Sequence, residues 1–69
     1  MNIDYNEKIC SKFCEFDGVM DDGRTFIINA NWNSGDENWV VDSIYWNTEE
    51  GTPEEEQMIT EEFINTVNG

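Results

Sequence analysis

The sequence predicts an α+β fold: a small three-stranded antiparallel β-meander with one C-terminal helix packed across it. Three observations carry that expectation. Apolar residues alternate with a period of two over residues 24–33 and again over residues 39–46, the spacing of half-buried strands. Turn-forming residues separate the runs, with Asp21, Asp22 and Gly23 before the first and Ser34, Gly35, Asp36 and Glu37 between the two. The last third changes period, and Ile59, Phe63 and Val67 recur at helical spacing behind a capping sequence.

The amino-terminal segment supports two readings. Tyr5, Ile9, Phe13 and Phe16 recur at helical spacing behind a cap at Asp4, which would make residues 4–15 a short helix. Alternation over residues 12–20 favours a strand instead, with Cys14, Phe16 and Met20 on one face and Phe13, Glu15, Asp17 and Val19 on the other. That strand would pair with residues 24–33 across the Asp-Asp-Gly turn. Within 24–33, Phe26, Ile28, Ala30 and Trp32 point one way and Ile27, Asn29, Asn31 and Asn33 the other. Within 39–46, Trp39, Val41, Ser43 and Tyr45 alternate against Val40, Asp42, Ile44 and Trp46. The pattern makes these two strands a hairpin without fixing its register.

The helix has a local code. Thr52 is an N-cap, Pro53 suits the first helical position, and Glu55 completes a capping box. Glutamates in that first turn complement the helix dipole. Ile59, Phe63 and Val67 form the apolar stripe, with Ile64 at its edge. Glu54, Glu55, Glu61 and Glu62 fall on the opposite face, and Met58 sits among them.

Sixty-nine residues suffice for one domain with a thin stability margin, since a chain of this size buries only about 60% of the surface its unfolded form exposes. A content of 38% apolar and 13% aromatic residues is too high for a disordered acidic tail. The charge is the unusual property: 16 carboxylates against three bases, with no histidine, give a formal net charge of −13. Six carboxylates (Asp4, Glu7, Glu15, Asp17, Asp21 and Asp22) precede residue 25, so residues 25–69 hold the other ten and no base. A surface shaped only for solubility intersperses both signs at a net charge of roughly 2–8.

Composition weakens several function classes. Without histidine, a general base near neutrality would have to be a strongly perturbed carboxylate or cysteine, so no enzymatic activity is expected. Cys10 and Cys14 lack the further ligands of a structural zinc site, and Asp17, Asp21 and Asp22 lack the EF-hand spacing. No metal or cofactor is therefore expected. The first five residues lack the basic and apolar regions of an export signal, and no run approaches the ~18 apolar residues of a membrane span. The expectation is a cytoplasmic protein with reduced thiols. Its charge repels anionic lipid and nucleic acid, so its partners should be basic surfaces.

The carboxylates cluster as Glu15 with Asp17, Asp21 with Asp22, Asp36 with Glu37, Glu49 with Glu50, Glu54 to Glu56, and Glu61 with Glu62. Alternate strand residues lie about 6.6 Å apart and helical neighbours at i,i+4 about 5–6 Å apart, comparable with phosphates along one nucleic-acid strand. The candidate partner-binding residues are Asp36, Glu37, Asp42, Glu49, Glu50, Glu54, Glu55, Met58, Glu61 and Glu62, with Met58 as an apolar anchor. In size and charge the chain resembles phage-encoded inhibitors that mimic nucleic acid, a type that includes anti-restriction proteins, uracil-DNA glycosylase inhibitors and several anti-CRISPR proteins. That resemblance implies an inhibitor occupying the basic groove of a host nucleic-acid-binding protein or nuclease. The competing expectation is a non-enzymatic adaptor, monomeric or dimeric, binding a protein partner through exposed aromatics of the hairpin, namely Trp32, Trp39 or Trp46.

Overall fold

The alternating residues Thr25–Asn33 form an inner strand of an open antiparallel sheet. The computed structural model describes residues 1–6, 8–9 and 14–69. Its strands are β1 (Asn2–Ile3), β2 (Lys8–Ile9), β3 (Cys14–Val19), β4 (Thr25–Asn33) and β5 (Asn38–Trp46), followed by the helix α1 (Pro53–Val67). β3, β4 and β5 are the expected meander. Outside β3 the two short strands share one position: Asn2 and Ile3 pair with Val19 and Gly18, and Lys8 and Ile9 with Glu15 and Cys14. The sheet is thus four strands wide, not three.

The amino terminus is therefore a split edge strand. Lys8–Ile9, Cys14 and Glu15 are extended, which overturns the helical alternative for residues 4–15 wherever the chain is described; Cys10, Lys12 and Phe13 lie outside the described residues. A helix that short is marginal by itself, and pairing with β3 holds the described segments extended instead. Between β1 and β2, Asp4 donates its N–H to the Asp17 carbonyl at 2.7 Å, and Tyr5 lies nearly parallel to Phe63 with ring centroids 6.3 Å apart.

β5 departs from simple alternation. Asn29 stands opposite Ser43, but Ala30 stands opposite Val41, so β5 carries one extra residue, Asp42. This β-bulge turns two consecutive side chains, Asp42 and Ser43, to the outer face. Trp39 and Val41 thereby join Ile44 and Trp46 on the inner face. The expected sets, Trp39 with Tyr45 and Val40 with Trp46, are corrected accordingly.

α1 covers the inner face and lies closest to β5. Its capping box is complete: Glu55 N–H donates to Thr52 Oγ1 at 3.2 Å, and Thr52 N–H donates to Glu55 Oε1 at 3.0 Å. Ile59 and Phe63 are buried against Phe16, Met20, Phe26, Ile28, Ala30 and Trp46, with Ile64 and Val67 at the margin. Phe63 meets Phe16 edge-on at 4.8 Å between centroids. Trp32 is the exception on that face, 52% exposed, because at the hairpin end it rests only edge-to-face on Trp39.

Candidate protein-binding surface

Of the three bases, Arg24 alone has a described side chain, and it faces inward to the fold. Its Nη1 and Nη2 donate to the two oxygens of Glu55 at 3.1 and 2.5 Å, and its Nε donates to Asp22 at 2.8 Å. Both Arg24 and Glu55 are half-buried. The Arg24 hydrogen bonds, seconded by the Thr52 N–H, hold the Glu55 carboxyl down at about 2, and Glu55 in turn drives the guanidinium further above its ordinary value. The guanidinium also lies 5.4 Å from the centre of the Trp46 ring, within cation–π range. Trp46 Nε1 donates to Glu56 at 2.8 Å. One cation thus locks the start of α1 to the β3–β4 turn and to β5, and Glu55 and Glu56 are consumed in that lock.

Glu55 therefore leaves the set of partner-binding residues. Placing it with Glu54, Glu61 and Glu62 followed from helical periodicity alone, which does not register a cation 31 positions away in sequence. The amino terminus, the other described cation, pairs with Asp21.

The remaining candidates fall into two groups along the β5–α1 side. Asp36 and Glu37 stand at the β4–β5 hairpin tip, Asp42 at the bulge in mid-strand, and Glu49 and Glu50 in the connection to α1; all five are exposed. β5 is an outer strand, so its bulge and Asp42 lie on a sheet edge. Asn33 Oδ1 accepts from the N–H groups of Gly35 and Asp36, at 3.0 and 3.4 Å, and its amide donates to the Asp36 carboxylate at 3.2 Å, which fixes the tip. Glu37 has a φ of 53°, in the left-handed region where a side chain is disfavoured.

On α1, Glu54, Met58, Glu61 and Glu62 share an exposed face at i, i+4, i+7 and i+8. Met58 is 53% exposed, with Glu54 one turn before it and Glu61 and Glu62 one turn after. Glu54 and Glu61 are about 10 Å apart along the axis, from ~1.5 Å per residue. Glu54 is thus set further from Glu61 than successive phosphates are from each other, while Glu61 and Glu62 are adjacent. The alternate-residue spacing is met instead by Glu15 and Asp17 of β3, on the opposite face of the sheet.

No ion pair among the described residues involves Asp36, Glu37, Asp42, Glu49, Glu50, Glu54, Glu61 or Glu62. Nor do the described Cys, Asp and Glu side chains gather in groups of three or more that could hold a metal ion. No described helix is long and apolar enough to cross a membrane. Compared with known proteins, the chain matches no family model, no curated protein and no solved structure.

Proposed function

We propose that the chain is a protein inhibitor that occupies the basic groove of a nucleic-acid-binding protein, in the manner of a nucleic-acid mimic acting in the cytoplasm of a host cell. One observation carries this reading. Both described cations are paired within the fold, while the carboxylates of the hairpin tip, β5 edge, connection and outer helix face have no cationic partner among the described residues. Each exposed charge alone is weak, but their summed field steers a basic partner and repels nucleic acid.

The scaffold holds these charges in fixed relation. β5 sets Asp42 between the tip and the connection, and the capping box with the Arg24 lock fixes where α1 begins. The uneven spacing on α1 suits a match to the overall potential of a groove more than a phosphate-by-phosphate imitation. Affinity capture from a host lysate at low salt, with elution by competing DNA or RNA, tests the reading. Elution of nucleic-acid-binding proteins is the expected result. A partner retained through nucleic-acid competition and high salt would favour the adaptor reading, which the exposure of Trp32 supports.

A further inference from the structure

The sheet has a second face, turned away from α1, that no described element covers. The register places Glu15, Asp17 and Val19 of β3 on it, with Thr25, Ile27, Asn29 and Asn31 of β4 and Val40, Asp42, Ser43 and Tyr45 of β5. Tyr45, Ile27 and Asp17 form one cross-strand row. Tyr45 is 61% exposed, Val40 44% and Val19 36%, so the largest apolar side chain on this face, Tyr45, stands mostly in solvent. The Asn29 amide donates to Ser43 Oγ at 3.0 Å and stiffens the middle of the face.

We propose that this outer face seats a basic polypeptide presenting an apolar side chain, with Tyr45 as the anchor on which that side chain packs. Charge selects this occupant over a second copy of the chain. Two copies of a molecule of net charge −13 would bring Asp42, Glu15 and the flanking Asp36, Glu37, Glu49 and Glu50 of each against the same residues of the other. A basic partner makes those same residues favourable, and Tyr45 supplies an exposed aromatic ring of the kind interface centres are enriched in. The inference rests on the proposed basic partner and adds a further contact, beside the β5 edge, with Tyr45 as its apolar group.

The test uses the whole chain labelled with ¹⁵N and two synthetic peptides of equal charge, one alternating arginine and leucine, the other arginine and glycine. The arginine–leucine peptide should shift the amide signals of Ile27, Asn29, Val40, Ser43 and Tyr45, and Tyr45→Ser should weaken it by about tenfold while leaving the glycine peptide unchanged. Val40→Thr, a second exposed site, should weaken it in the same selective way. Shifts confined to α1, equal binding of the two peptides, or a silent Tyr45→Ser would each overturn the inference. So would a homodimer in sedimentation that Tyr45→Ser dissolves. Failure of the groove-occupying reading looks different: neither peptide would lose affinity as salt rises.

Discussion

Asn68 holds the backbone of Trp39 on both sides. Its Oδ1 accepts the Trp39 N–H at 2.8 Å, and its Nδ2 donates to the Trp39 carbonyl at 3.0 Å. Its own N–H donates to the Ile64 carbonyl at 3.0 Å, so one residue both ends α1 and covers part of the open edge of β5. Exposed strand edges recruit further strands, and here an amide, a bulge and the Asp42 charge together blunt that tendency.

Replacing Asn68 by alanine should therefore have two effects. Loss of the paired hydrogen bonds should lower stability by about 1 kcal/mol, read from the urea midpoint. The uncovered edge should also raise self-association, read by light scattering. Asn68→Asp sets a carboxylate oxygen against the Trp39 carbonyl and adds a negative charge at the C-terminus of α1, so it should cost at least as much as alanine.

Gly18 is required by the ring beneath it. A Cβ at that position would lie 2.3 Å from the Phe26 ring, and Phe26 is fully buried with nowhere to move. Gly18→Ala should cost about 1–3 kcal/mol by overpacking. Gly51 stands in the same relation to the Trp46 ring, at 2.2 Å. Gly51→Ala should displace that indole and change its fluorescence.

The Arg24–Glu55 pair predicts a definite pH dependence. Glu55 falls from an ordinary 4.5 to about 2 in the folded chain, so folding favours its ionised form. Its contribution is complete above the ordinary value and is lost as pH falls through the folded one. The stability difference between the parent and Glu55→Gln should be constant above about pH 5, shrink below it and vanish near pH 2. A difference that persists unchanged at low pH would show that the pair does not supply it.

Glu37 separates stability from binding. Its left-handed backbone suits glycine better than glutamate. Glu37→Gly should leave stability, read from the unfolding midpoint, unchanged or raise it by up to about 1 kcal/mol, since relief of the backbone strain is opposed by added chain entropy. The same change should weaken binding to a basic partner captured from lysate, through loss of one tip charge. Equal loss of stability and binding would contradict the assignment of Glu37 to the contact surface.

What could be read from the sequence depended on how local each signal is. Thr52, Pro53 and Glu55 encode the start of α1 within four residues, and the alternation of Phe26, Ile28 and Ala30 declares the inner face of β4. The bulge was not legible, because an extra residue shows itself only when Asp42 is counted against Asn29 and Ala30 on the partner strand. β1 and β2, at two residues each, are too short to display a period. The Arg24–Glu55 lock was missed for a different reason: helical periodicity assigns Glu55 a face, and only the fold brings the guanidinium to it. The asymmetry of charge after residue 24 was legible, and the pairing of Arg24 within the fold sharpens it.

The salt dependence of affinity for a captured basic partner tests the proposed groove-occupying role most directly. It should be measured on the parent chain and on a variant carrying Asp42→Asn, Glu54→Gln, Glu61→Gln and Glu62→Gln. Parent affinity should fall by on the order of tenfold or more between about 50 and 200 mM salt, and the variant should bind more weakly with a shallower slope. Affinity that stays flat over that range, or a variant with the parent's slope, would contradict the proposal that these carboxylates form the working surface.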